Sequence, residues 1–361
     1  MPITLDGSLG ITTPMYNGSI TANAVTPVTG FKNRIINGQM TFDQRNAGAS
    51  VSIPSTATFT LDRYGTVASQ SSKFSVQQNA GSVTPPVGFS NYLGVTSSSA
   101  YSVPNNEIFT LYQNIEGFNT ADLMWGTANA RTITISFWVR SSLTGTFGGS
   151  VANNAFDRSY PYSYTISAAN TWEYKTITIA GDTTGTWVGA TNGIGMRVYF
   201  PIGVGSDFTG TAGSWQAAGD ISATGATSVV GTNGATFYIT GVQLEVGSTA
   251  TSFDYRPYTT EFQLCQRYFE VHGGTASAFP QYFGSGNNGT NVGLAIPFAV
   301  SKRTAPTVTA LGTWTVSNCG QPFADSATIQ GYRLVATCSS TNTIQFYPAS
   351  SSEKVTISAE L

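Results

Sequence analysis

The sequence predicts an all-β protein in which an antiparallel β-sandwich leads, through a short linking helix, into a smaller C-terminal antiparallel β domain. Three observations carry this expectation. Short runs of alternating apolar and polar residues recur along most of the chain, as strands with one buried face require. Clusters of Gly, Asn, Ser and Thr, including many of the 39 glycines, separate those runs as turns. A helical period is confined to one stretch.

Residues 1–30 run through Gly7, Gly10, Pro14, Gly18, Pro27 and Gly30 with short Ile, Val and Thr pieces and too few large apolar side chains for a core. They are expected to form an extended attachment arm that needs a partner surface. The sandwich is expected over 31–258. Within Arg131–Arg140, the residues Ile133, Ile135, Phe137 and Val139 share one face, leaving Thr132, Thr134, Ser136, Trp138 and Arg140 on the other. In Gly195–Phe200, Met196, Val198 and Phe200 point inward while Arg197 and Tyr199 point outward. Residues Ala235–Val246 make a further long strand, with Gly241 a bulge that shifts its alternation.

Over 259–272 the period changes. Phe262, Cys265 and Phe269, with Leu264, Tyr268 and Val271 beside them, recur at three- and four-residue steps, and Thr259 or Thr260 can cap the start. Such a helix is marginal alone and must pack on something. From 273 to 361 strands return: Leu294, Ile296, Phe298 and Val300 alternate, as do Val355, Ile357, Ala359 and Leu361, with Lys302–Pro306 read as a turn.

Composition narrows the function. Charged residues are 9% of the chain and hydrophobic ones 40%, which excludes a solvated disordered chain. With 16 basic against 18 acidic residues, no cationic excess exists to neutralise nucleic acid. No apolar run is long enough for a membrane-spanning helix, and the N-terminus lacks the basic and apolar regions of a secretory signal, so a protein that is made in a cytoplasm and stays soluble is expected. Three cysteines are too few and scattered for a disulfide framework or a zinc site; Cys319 and Cys338 could pair, but buried free thiols are the expectation. Any triad, dyad or histidine metal site would rest on the single histidine, His272, which is expected instead to satisfy a carbonyl at the helix end. No metal or cofactor is expected.

The middle segment resembles the jelly-roll carbohydrate-binding modules found beside glycan hydrolases. The likeness runs in order through Asn33–Met40 as a first strand, Leu61–Tyr64, Tyr112–Glu116, Ile133–Arg140, a Trp-containing strand at Asn170–Lys175, and Phe237–Glu245 as the last. Its tail, Gly241–Gly247 through Phe253–Tyr258 into Leu264–Phe269, is similar to a string recurrent in bacteriophage tail-fibre and related virion structural proteins, as is the arm from Thr4–Gly7 to Ile11–Pro14. Those modules commonly place acidic residues before the last-strand apolar run to help hold a structural calcium, whereas Thr240 and Gly241 stand there in this chain. The resemblance implies a phage virion fibre subunit, assembled in the host cytoplasm, attached to other virion proteins through the arm and recognising a host surface polysaccharide.

Sugars are held by stacking on aromatic rings while planar polar side chains bond their hydroxyls. Trp138, Arg140, Arg197 and Tyr199 meet that description on one sheet face if their strands are neighbours. Trp125, Tyr160, Tyr162 and Tyr164 form a second group of candidates. Equally, such rings can pack under loops or against a neighbouring subunit. The Phe262, Cys265 and Phe269 stripe is expected to form the seam of a homotrimer, the alternative being that the helix covers its own sandwich. A glycan depolymerase would need two carboxylates across a cleft; Glu107, Glu116, Asp157, Glu173 and Asp182 are available, but no spacing singles out a pair, so a non-enzyme is expected. A purely architectural head fibre, decoration protein or tail connector is the other alternative.

Overall fold

Ile133, Ile135, Phe137 and Val139 are wholly shielded from solvent, and around them the chain folds into two six-stranded sheets that share one apolar core. The computed structural model describes residues 5–6, 10–11, 31–274 and 279–361. Strands β1 (Leu5–Asp6) and β2 (Gly10–Ile11) pair antiparallel within the first of two compact units, Met1–Lys32; the rest of the expected arm lies outside the described residues.

The second unit, Asn33–Leu361, holds everything that follows. Its sandwich strands are β3 (Val51–Ser52), β4 (Thr58–Leu61), β5 (Tyr64–Ala68), β6 (Phe74–Gln78), β7 (Leu93–Ser97), β8 (Ile108–Glu116), β9 (Ile133–Ser141), β10 (Gly145–Ala152), β11 (Ser159–Ile166), β12 (Glu173–Ile179), β13 (Ile194–Val204) and β16 (Thr236–Val246), with the short parallel pair β14 (Thr209–Gly210) and β15 (Ser222–Ala223) between the last two. One sheet runs β11-β10-β13-β8-β5-β4 and the other β12-β9-β16-β7-β6-β3, with antiparallel neighbours throughout. The alternation read from β9 and β13 holds: Met196, Val198 and Phe200 are buried in the same core as the β9 residues. On β16 the register against β9 shifts between Thr240 and Gln243, and Gly241 sits at a φ of 61°, so the bulge is where the glycine places it.

Two expectations fail here for local reasons. Residues Asn33–Met40 form no strand. The Asn33 side chain donates to the Val242 carbonyl (3.0 Å) and accepts from the Leu244 amide (3.0 Å), and Asn37 joins the Phe42 and Asp62 backbones. Asparagine side chains thus make the bonds a ladder would have made. The helix, α1 (Tyr258–Gln266), is shorter than the periodicity implies. Its continuation is β17 (Phe269–Gly273), paired with β25 (Lys354–Ser358), because Phe269, Glu270, Val271 and His272 find a strand to join.

That change also removes the expected trimer seam. Cys265 is fully buried and Phe269 is 4% exposed, and Cys265 packs with Ile36, Phe42 and Tyr268 of its own chain while Phe262 leans on the same cluster. Phe269 lies on a strand, with the Arg45 guanidinium over its ring at 3.6 Å. The helix covers its own molecule. His272 is likewise no helix end: mid-strand, its Nε2 bonds Glu270 (2.8 Å) and its Nδ1 the Tyr332 hydroxyl (3.1 Å).

The C-terminal body adds β18 (Tyr282–Gly286), β19 (Asn291–Pro297), β20 (Thr307–Leu311), β21 (Thr315–Ser317), β22 (Phe323–Ala327), β23 (Gly331–Thr337) and β24 (Asn342–Tyr347). They form three three-stranded sheets, β17-β25-β20, β18-β24-β21 and β19-β23-β22, around a core that includes Leu334, Ile344, Phe346, Val355 and Ile357. Lys302, expected in an open turn, is buried against Glu270.

Buried charge ties this body to the sandwich. Arg267 clasps Glu116 with two bonds of 2.9 and 2.6 Å, and the Tyr268 hydroxyl adds a third at 2.7 Å. Burial alone would raise the Glu116 carboxyl, but these bonds outweigh it and hold it below the ordinary value. Arg45 and Arg63 both pair with Glu360. Asp62, at the same junction, is pushed up to about 7 chiefly by burial, against the lowering effect of Gln44 and Arg45.

Candidate functional site

Strand β9 turns Ser136 and Trp138 to the outside of its sheet, since Phe137 and Val139 take the core positions between and beyond them. Register places Tyr174 of β12 directly opposite Trp138, with ring centroids 5.4 Å apart and planes at 49°. On the other side of Trp138 lies β16, whose bulge carries Gly241, a buried position with no side chain. A Cβ there would stand 2.7 Å from the ring of Phe89, so the absent side chain is what admits that ring.

Phe89 belongs to an aromatic trio built by two loops. Its ring lies 5.1 Å from Phe253 and 5.8 Å from Tyr255, and Phe253 lies 5.0 Å from Tyr255. The loop carrying Phe253 and Tyr255 is fixed to the sheet through polar groups of β16. Glu245 accepts from the Thr251 amide and hydroxyl (2.8 and 2.6 Å), and Gln243 accepts from the Asp254 amide (2.8 Å).

Between Tyr174 and this trio runs an open groove of about 530 Å³, floored by Ser136, Trp138 and Gly241. Its size falls within the range of small-ligand sites. Among the described residues, no charged side chain lines it. Tyr174 is 43% exposed and Tyr255 54% exposed, so rings are presented to solvent at both sides.

The tryptophan N–H groups differ in whether the protein already holds them. Trp125 donates to the Arg131 carbonyl, Trp172 to Thr84, Trp187 to Asp182, Trp215 to Ala180 and Trp314 to Leu311, at 2.7 to 3.1 Å. The sixth, Trp138, donates to nothing among the described residues. Trp138 is half-buried and lines the groove floor.

The structure does not bring the four sequence candidates together. Trp138 and Arg140 lie on β9 in one sheet, Arg197 and Tyr199 on β13 in the other, so the condition that the strands be neighbours fails. Arg140, two residues from Trp138, donates through Nε to the Asn170 carbonyl (2.9 Å) and lies over Tyr238 (5.4 Å). Tyr199 is 3% exposed, packed with Tyr112, Ala152 and Ile221, while Arg197 bonds Asn154 (3.0 Å) and covers Phe156. Of the second group, Tyr162 and Tyr164 are core residues, and Trp125 and Tyr160 belong to a cluster centred on Trp187 and Trp215.

Sequence reasoning missed Phe89, Phe253 and Tyr255 because they come from loops, where no period marks a face. A signal was present: aromatics flanking Gly88 and following Gly247 stand where the chain must turn.

The five carboxylates considered for catalysis are each engaged separately. Glu107 meets Gln70 and Tyr101, Glu116 the junction, Asp157 Asn153, and Glu173 Lys175. Asp182 is clasped by Arg158 at 2.9 and 2.7 Å; burial opposes its ionisation, but that clasp, with Thr184 and Trp187, keeps its carboxyl below the ordinary range.

No family model matches the chain, and no curated protein does. Solved structures do. A bacteriophage CBA120 tailspike protein 4 enzymatically active domain shares 11% identity over 60% of this chain, with a TM-score of 0.32, and the chain spans 21% of it. The family 11 carbohydrate-binding module from Clostridium thermocellum, in complex with a β-1,3-1,4-mixed-linked tetrasaccharide, shares 12% identity, covering 56% of this chain and 98% of the module, with a TM-score of 0.27. TmCBM61, in complex with β-1,4-galactotriose, shares 10% identity, covering 60% of this chain and 99% of that one, with a TM-score of 0.29.

Proposed function

We propose that the groove over β9 and β12 binds a neutral glycan, and that the protein is a non-catalytic fibre subunit of a bacteriophage virion that recognises host surface polysaccharide. The observation that carries this reading is Trp138, the one tryptophan of the six with an unspent N–H among the described residues, set in a groove walled by exposed aromatic rings. A pyranose stacks its C–H face on such a ring, and its hydroxyls accept from the indole N–H and exchange bonds with Ser136 and the tyrosine hydroxyls. The uncharged lining selects against anionic sugars, whose carboxylates would be desolvated there with no cation to pair them. The virion assignment is supported by the resemblance of Gly241–Gly247, Phe253–Tyr258 and Leu264–Phe269 to fibre sequences, and by a composition with only 9% charged residues. Attachment through the N-terminal arm and trimeric assembly belong to the same proposal.

A glycan array carrying neutral and uronic or sialylated chains tests it: binding should be confined to neutral chains. Binding to anionic chains alone, or to none together with no binding to host cells, would refute the reading. Shortening of any bound chain would show a depolymerase.

One feature of the C-terminal body favours the architectural alternative. Phe283 is 73% exposed, and Phe279 and Phe323 are also exposed, as rings that pack against a neighbour would be. Under that alternative the protein binds virions but neither cells nor glycans.

A further inference from the structure

Cys319 and Cys338 face one another across an isolated antiparallel bridge. The backbone bonds around them run from the Gly320 amide to the Thr337 carbonyl (3.0 Å) and from the Ser339 amide to the Asn318 carbonyl (2.9 Å). Bonds that flank a pair in this way, with none exchanged between its members, define the non-hydrogen-bonded pair of an antiparallel ladder. In such pairs the Cα atoms lie roughly 4.5 Å apart with both side chains on one face. Disulfides span roughly 4.4 to 6.8 Å between Cα atoms, so the register already supplies what a cross-strand bond needs. Both residues belong to the core of the C-terminal body and both are free thiols.

We propose that Cys319 and Cys338 are a modification site, joined into a cross-strand disulfide when the folded protein meets a small-molecule disulfide such as oxidised glutathione. Cys319, 8% exposed against 2% for Cys338, is the point of entry. Its thiolate attacks one glutathione sulfur, forming a mixed disulfide and expelling a glutathione thiolate that takes up the proton. The Cys338 thiolate then attacks the Cys319 sulfur and expels the second glutathione. Two protein thiols are oxidised, and one glutathione disulfide is reduced to two thiols. Burial pushes the Cys319 thiol up, with the nearby Cys338 adding to the effect, so the first attack is slow at neutral pH and faster in mild alkali.

The bond has a structural consequence. Cys319 follows β21 and Cys338 follows β23, which belong to different sheets of the body. A bond between them ties those sheets together and closes a loop containing β22 and β23, in a body whose small core gains most from such a staple. Cys265 serves as an internal control, being fully buried beside Tyr268 with no cysteine opposite it.

The test incubates the full chain with oxidised glutathione in native buffer and in urea below the unfolding transition. It is then unfolded and alkylated, and its mass and proteolytic peptides are measured. Alkylation should fall from three thiols to one, with a single cross-linked peptide pair containing Cys319 and Cys338 and an upward shift of the thermal midpoint. That shift should vanish in Cys319→Ser and Cys338→Ser, or in Cys319→Val and Cys338→Ala should the serine variants fail to fold. Three free thiols under both conditions, stable glutathione adducts, or a bond to Cys265 would each overturn the proposal.

Discussion

Replacing Trp138 by alanine removes the groove floor while leaving the core beneath it intact, since Phe137 and Val139 face the other way. Loss of an aromatic anchor at a binding hot spot costs about 2–4 kcal/mol, and because Trp138 is half-buried in the free protein, only part of its ring can add to binding. We therefore expect a loss near 2 kcal/mol, or roughly thirtyfold in Kd. The fold should lose the Trp138 contact with Tyr174, worth about 0.5–1.5 kcal/mol, together with the apolar area of the buried half of the ring, so the thermal midpoint falls while the protein stays folded. Isothermal titration with a glycan selected from the array supplies the affinity, and Arg197→Ala, on the opposite sheet, is the matched control. A folded Trp138→Ala protein that binds as the parent does, or loss of binding in the Arg197 variant, would refute the assignment.

Three further outcomes follow from the geometry. Gly241→Ala combines an unfavourable φ with a contact 2.7 Å from Phe89, so it should destabilise the protein by more than 1 kcal/mol and weaken glycan binding by displacing the groove wall, both measurable by denaturation and titration. The Asp62 carboxyl, raised to about 7 from 3.8 mainly by burial, stays protonated in the folded state while the unfolded chain ionises. Its destabilising effect therefore grows from about pH 4 to about pH 7 and is level above. Stability of Asp62→Asn relative to the parent should increase across that window, by roughly 4 kcal/mol at the upper limit; an unchanged difference across pH would contradict the assignment. Finally, Arg267→Ala leaves Glu116 buried without its partner and should cost about 3 kcal/mol in denaturant unfolding, a partly exposed arginine placing it at the low end for such pairs.

Much of the fold was legible because alternation is a local property. The inward faces of β9 and β13 and the bulge at Gly241 follow from sequence period and one glycine. Adjacency is not local: nothing in Arg131–Arg140 or Gly195–Phe200 says that the two strands enter different sheets, and on that point the four-residue site divided. The helical period runs past the end of the helix because Phe269 and Val271 suit either period, and only the presence of β25 decides for a strand. Asn33 and Asn37 look like strand residues in the sequence because side chains that replace ladder bonds leave the same apolar spacing. Trp138 was found from its face; the loop aromatics that complete its groove were not.

The most direct test is a ¹H–¹⁵N spectrum of the six tryptophan indole groups during titration with the selected neutral glycan. The Trp138 signal should move in proportion to saturation, while the five indoles already bonded to the protein stay in place. A stationary Trp138 signal alongside movement at Trp187 or Trp215 would put the binding surface elsewhere and contradict the account.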